Sequence, residues 1–360
     1  MKLRLNIFLK IILMFIGMIA YCMPARAQDI HFSQFYESPL TLNPALCGNF
    51  NGIVEAEANY RTQWAGAMGS GDGYRTIAAD VQYQNLGKDW KHGFLSAGLS
   101  FFNDKSGSVQ IAMNQVNLTL ASGIFLNRRS LVTAGLQAGW SQHSIDLQGI
   151  PWDEQYINGV YDPNAGSGEP SMGNSFSYLD FSAGMAYTYI IKQPTISSND
   201  HFKLNLGLAV FHVNEPDMSY YGSSGPGTPL YMRYVLHGSA DYGIPNTPLS
   251  IQPALIYFRQ GPSQEINAGA MVSYVLKQQS QYTGNNKGSS IAFGAFYRWN
   301  DAAILMLQMD LVSYSFGISY DINVSGFTPA TSGEGAFEIS LKYILGSPLN
   351  GVGANSHTMF

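Results

Sequence analysis

The chain has 360 residues, 12% of them charged and 46% hydrophobic, with 38 glycines, 22 tyrosines and a formal net charge of -5. A soluble domain typically carries about 25% charged residues, so there is too little charge here to coat a water-facing surface. No apolar run reaches the roughly 20 residues a membrane-spanning helix needs, and no basic stripe offers itself to nucleic acid. What remains is a chain that meets lipid with strands, where only every second residue must be apolar.

The chain opens with Lys2, Arg4 and Lys10, an apolar run from Ile11 to Met23, and Ala25-Arg26-Ala27 before Gln28. This is the layout of a secretory signal peptide, expected over 1–27 with cleavage after Ala27. A lipoprotein signal at Cys22 is the rival reading, disfavoured by the bulky Tyr21 before it. Removing 1–27 takes four basic residues and no acid, which leaves a net charge of -9. The single remaining cysteine, Cys47, precludes an intramolecular disulfide or a cysteine zinc cluster.

Residues 28–52 do not alternate. They read as a separate N-terminal segment, rich in aromatics and turn formers, lying on the periplasmic side of a barrel or plugging its mouth. Pro39 and Pro44 each demand an extended residue before them, and Phe32, Phe35, Tyr36, Leu40 and Leu42 are candidates for burial.

From Ile53 onward, period two takes over. The first candidate strand sets Val54, Ala56, Ala58, Tyr60, Thr62 and Trp64 against Glu55, Glu57, Asn59, Arg61 and Gln63. Successive strand residues point to opposite faces, and no dry soluble core accepts the second set. The clearest case is Val312–Val324, VSYSFGISYDINV, with one wholly apolar face and one small or polar face. Further candidates fall at about 74–85, 92–103, 108–122, 130–142, 175–190, 202–213, 231–243, 248–258, 264–277, 290–300, 302–310 and 336–345.

The tally is 14, an even number as single-chain outer-membrane barrels require. The fold expected is all-β: a transmembrane up-and-down antiparallel barrel over 53–345, with a tail at 346–360. Long connections at 143–174, 214–230 and 325–335 would share the extracellular end, and the long stretch 278–289 is a misfit among periplasmic turns. Trp64, Trp90, Trp140, Trp299, Tyr189 and Tyr242 suit interfacial girdles. Pro253 inside a strand calls for a bulge.

Chemistry is scarce. Arg233, His237 and Asp241 share one face of a strand, where a relay or, more simply, a packed hydrogen-bonded network would use them. Polar inward positions at Glu55, Glu57, Arg61, Arg233, His237, Asp241, Arg298 and Asp321 form the expected lumen network. The loop Asp162–Glu169 faintly echoes a calcium loop but lacks the terminal glutamate spacing, so a plain surface turn explains it. No phosphate loop or dinucleotide fingerprint occurs. No catalytic site, cofactor, metal or small-molecule substrate is expected.

The stretch QDIHFSQFYESPLTLNPALCG resembles the start of the PorP/SprF family of Bacteroidetes outer-membrane proteins, on Gln28, Asp29, Phe32, Ser33, Gln34, Phe35, Pro39, Asn43, Pro44, Ala45 and Gly48. Likeness continues at Tyr60–Trp64, Met232–Tyr234 with His237, Phe296–Asp301, Ser319–Asn323 and Glu338–Leu341. Cys47 and the long tail depart from the pattern. The resemblance implies a non-enzymatic component of the type IX secretion system and gliding motility machinery in the cell outer membrane. Such a component docks the periplasmic secretion ring or the C-terminal domain of a secreted surface adhesin. The motif residues Asp29, Phe32, Ser33, Gln34, Phe35, Pro39, Asn43, Pro44 and Gly48 are then the expected docking residues. A diffusion porin, general or substrate-specific, is the alternative, and an outer-membrane hydrolase built on His237 and Asp241 is a third.

Overall fold

The structure, a computed structural model, describes residues 29, 31–64, 73–84, 92–107, 111–145, 152–157, 159–162, 164–166, 173–192, 201–220, 227–277, 288–326 and 328–346. The expected signal peptide at 1–27, Gln28, Trp90, Pro163, 167–169, most of the 278–289 connection and the tail beyond 346 lie outside the described residues.

Fourteen strands close into one antiparallel barrel. In chain order they are β1 Val54–Gln63, β2 Tyr74–Gln84, β3 Gly93–Ser106, β4 Ile111–Phe125, β5 Ser130–Ser144, β6 Ser175–Lys192 and β7 His201–Phe211. The second half comprises β8 Arg233–Gly243, β9 Leu249–Gln260, β10 Ser263–Lys277, β11 Ser289–Arg298, β12 Ala302–Leu311, β13 Tyr314–Asn323 and β14 Glu334–Leu345. Each strand pairs with its neighbours in sequence, and β1 closes on β14 from Val54↔Leu345 to Gln63↔Ala336. Closure leaves no free strand edge, which is what a sheet needs in lipid.

The alternation sorts by chemistry as period two dictates. Leu136, Phe293 and Leu255 face outward at 69%, 60% and 48% exposure, whereas Glu57, Gln82, Thr119 and Ser340 on the same wall are buried. Tyr60, Tyr74, Trp140, Tyr234, Tyr297 and Trp299 stand exposed near the end with the longer connections, and Tyr83, Tyr242, Tyr274 and Tyr314 near the other. Two aromatic girdles therefore bracket an apolar belt, the surface of a membrane-spanning barrel. No described helix is long and apolar enough to cross a membrane.

Two local expectations are corrected. Pro253 raises no bulge: the β8–β9 ladder is interrupted between Ser239↔Ala254 and Tyr242↔Ile251 with the same register on both sides, while Pro253 still faces Ala270 on β10. The irregularities sit instead at Val275/Lys277 and Tyr320/Ile322. Val312 belongs to a two-residue turn, not a strand, because Leu311↔Tyr314 closes the β12–β13 hairpin; its φ of 56° is a left-handed conformation that a β-branched residue adopts at a cost.

The lumen is also not polar throughout. Val235, Ile256, Phe258, Met271, Phe296, Ile304 and Met306 point inward from β8 to β12 and are buried at 0–7% exposure. They receive the N-terminal segment. It runs lengthwise inside the barrel through three short helical turns, Phe35–Glu37, Pro39–Leu42 and Pro44–Leu46, and Phe32, Ser33, Gln34, Phe35, Asn43 and Cys47 are each no more than 5% exposed. Ser38 and Asn43, the residues before the two prolines, are in non-helical backbone, and each proline opens its own turn.

Candidate functional site

The site is the filled lumen. Asp29 lies at the end with the longer connections, beside Gln260 and His212, and Gly48 reaches the opposite half beside Gln82 and Ser96. Between these points the segment meets four groups of wall residues.

The densest is built on Ser33. Its hydroxyl donates to Asp321 Oδ2 at 2.7 Å and accepts from Arg61 at 2.8 Å and Arg298 at 3.1 Å. Arg298 also holds Asp321 at 2.6 Å, and Arg61 pairs with Glu338. Glu338 accepts the backbone N–H of Ser33 at 2.7 Å and of Gln34 at 3.0 Å. Two cations, two carboxylates and one hydroxyl are thus paired around a plug residue, which is how buried charge is tolerated. Deeper in, Lys342 bridges Glu57 at 2.8 Å and Glu37 of the plug at 3.1 Å, and Asn59 donates to the Glu37 carbonyl at 2.6 Å.

On the opposite wall, Asn43 donates to the carbonyls of Met185 at 3.1 Å and Leu208 at 3.2 Å and lies 3.0 Å from His237 Nε2. Its Oδ1 caps the next turn by accepting from Ala45 N at 2.9 Å. The approach requires bare wall: a Cβ at Gly184 would collide with Asn43 Oδ1, and one at Gly135 with the Pro44 carbonyl. At the mouth, His212 bridges Asp29 at 2.5 Å and Asp180 at 3.0 Å, with Arg233 3.5 Å from Asp29 and 4.3 Å over the Phe211 ring. Burial opposes charge on both partners, but the His212 and Arg233 charges hold the Asp29 carboxyl well below its usual range, and Asp29 with Asp180 raises His212 to about 9.

Apolar contacts complete the seat. Phe35 packs edge-on against Phe296 at 6.0 Å between ring centres, and the Tyr36 hydroxyl rests 3.0 and 3.1 Å from the sulfurs of Met271 and Met306.

Of the eight expected lumen residues, Arg61, Arg298 and Asp321 fall into one cluster, Glu57 into the Lys342 group, and Glu55 bonds Gln82 at 3.2 Å. Arg233, His237 and Asp241 do not form a relay: they serve Asp29, Asn43 and, at 2.9 Å, His201 respectively. Sequence reasoning missed Glu338 and Lys342 as site residues, although both share the polar face of β14 with Ser340. It also missed Glu37, which sits in a segment with no periodicity to read. No group of described residues has the makeup to hold a metal ion, and Asp162 of the calcium-like loop accepts the Asn164 N–H at 2.9 Å as a plain turn.

One family model, described as type IX secretion system membrane protein PorP/SprF, matches the chain over residues 25–343. The chain belongs to the PorP/SprF family. No curated protein matches it. Among solved structures, the TodX deltaS2S3 mutant monoaromatic hydrocarbon channel shares 10% identity, covering 85% of this chain and 93% of that one, with a TM-score of 0.44. A Pseudomonas aeruginosa FadL homologue shares 10%, covering 84% and 92%, with 0.42, and the KdgM porin in complex with disordered oligogalacturonate shares 8%, covering 80% and 98%, with 0.35. At this level the likeness says nothing of what passes through or binds to this chain. PorP/SprF membership and the closed barrel fit an outer-membrane component of type IX secretion.

Proposed function

We propose that this PorP/SprF chain is a non-enzymatic docking component of the type IX secretion and gliding machinery, a plugged barrel that holds the periplasmic secretion ring or the C-terminal domain of a secreted adhesin. The observation that carries the reading is the family match over nearly the whole chain. The filled lumen supports it, because a barrel whose interior is spent on its own N-terminal segment has given up diffusion as its task. That weighs against the porin alternative.

In this reading the motif from Asp29 to Gly48 is first an internal ligand of the barrel. Asp29 is the motif residue nearest a mouth, and a partner meets it before Phe32 to Phe35. Deeper engagement of Ser33, Gln34, Pro39, Asn43 or Pro44 by a partner requires the Arg61, Glu338 and Asn43 bonds to open first. Affinity isolation of the native barrel from outer membranes tests the proposal. Recovery of a secretion-ring protein or a large surface adhesin is the expected result, and recovery of the barrel with neither removes the docking role.

A further inference from the structure

The connections at the two mouths carry opposite charge. Between the strands at the end with the longer connections, the sequence places nine Asp or Glu and no Lys or Arg, five of the acids in 145–174 alone. The connections at the other end carry five Lys or Arg against two Asp. Two strands, β6 and β10, moreover end on lysine there, at Lys192 and Lys277.

Among the described residues the basic mouth is drawn by Arg128, Arg129 and Lys277, all exposed. Each lies just past the apolar belt. Leu126, 63% exposed, precedes the arginine pair in the β4–β5 turn, and Leu276, 54% exposed, precedes Lys277, with Tyr274 of the phenol girdle two residues further back. Phenols mark the headgroup layer, so a cation three positions past Tyr274, and an arginine pair two and three positions past the exposed Leu126, stand at the depth of lipid phosphate. The arginine pair and Lys277 are also separated by six strands of a fourteen-strand circle. One flat protein surface does not meet both flanks from outside, whereas a ring of headgroups does.

We infer that the short-turn mouth of this barrel binds anionic phospholipid headgroups through Arg128, Arg129 and Lys277, and so anchors that end in the leaflet that contains them. The connections opposite carry only acids, although the strand ends there bring Arg75, Lys105 and Arg259, so the balance of charge favours the short-turn mouth for these headgroups. The inference goes beyond the secretion reading and needs only that the barrel is embedded in lipid.

The test uses the full-length barrel in phosphatidylcholine vesicles doped with spin-labelled phosphatidylglycerol or spin-labelled phosphatidylcholine, reading the relative association of each lipid with the protein. The wild type is expected to prefer phosphatidylglycerol, and Arg128→Gln/Arg129→Gln/Lys277→Gln to lose roughly fivefold of that preference for each charge removed. Arg128→Lys/Arg129→Lys retains it. Arg75→Gln, an exposed cation at the other end, leaves it unchanged. The shift of the unheated barrel on denaturing gels shows that each variant is folded. Equal association of both lipids with the wild type overturns the inference, as does an unchanged preference in the triple variant. A triple variant that keeps the lipid but loses a co-purifying acidic protein overturns it too, in favour of a protein dock.

Discussion

The plug is held by two walls of different physics. From β11 round through β13 and β14 to β1 the lumen presents Arg298, Asp321, Glu338, Lys342, Glu57 and Arg61, and the segment answers with Ser33, Gln34 and Glu37. From β8 to β12 it presents Ile256, Phe258, Met271, Phe296, Ile304 and Met306, and the segment answers with Phe35, Tyr36, Leu42 and Leu46. The charged wall fixes where the segment sits, because each bond is directional and each unmet charge is costly. The apolar wall supplies burial with little positional demand. A free peptide of this composition would collapse in many ways, and the charged wall selects one.

The largest effect expected from breaking the pair of walls is on permeation. Wild type in planar bilayers is expected to be nearly silent, and deletion of residues 29–48 to open large ohmic currents, since a 14-strand barrel without its plug encloses a channel. Silence in the deletion variant would show that the two walls close on each other. Next comes the charged wall alone. Asp321→Ala removes the carboxylate that Ser33 and Arg298 share, leaving Arg298 with Asp301 as its carboxylate partner, and is expected to cost about 3 kcal/mol, read as a lowered urea midpoint in lipid vesicles. A loss below about 1 kcal/mol would mean that the cluster is solvated and that the plug does not depend on it.

On the apolar wall, Phe296→Ala removes the edge-on partner of Phe35 and is expected to cost about 3 kcal/mol. The contrast lies in salt. Raising ionic strength leaves the Phe296→Ala penalty unchanged, and the buried Arg298 pair is screened only weakly. If both penalties fell equally with salt, the division into two walls would be void.

These walls were unequally legible in the sequence. Period-two alternation revealed all fourteen strands, because the pleat forces inward and outward residues into register with chemistry, and it selected Glu55, Glu57, Arg61, Arg298 and Asp321 as inward. The same rule misled at β8 to β12: Ile256, Met271 and Ile304 face inward although they are apolar, so there both faces read oily and the pattern has no sign. What they pack against is a segment more than 200 residues away in sequence, whose own residues carry no period. The partner of each wall residue was therefore hidden, and the Arg233, His237 and Asp241 row dissolved into three separate contacts once Asp29, Asn43 and His201 were in place.

The smallest effect is expected where the segment enters, beyond both walls. There Asp29, His212 and Asp180 form a latch whose strength depends on pH. His212 is raised to about 9 from 6.5, so its contribution is fully present below 6.5 and is lost as pH rises through 9. Asp29 is lowered, so its contribution is present above 3.8 and fades only as pH falls through its depressed value. The latch is thus strongest between pH 3.8 and 6.5, and as a pair of charge-assisted hydrogen bonds it is worth about 2 kcal/mol. A spin label at His31→Cys is expected to gain a mobile fraction as pH passes 9, while a label on the plug at Leu46→Cys, under the apolar wall, stays immobile. With His212→Gln the label at 31 should be mobile at every pH tested. Parallel loosening at 31 and 46 would mean that the segment leaves as one piece and that the mouth is no weaker than the walls; loosening at 31 alone makes the mouth the place where a partner begins to pry the segment free.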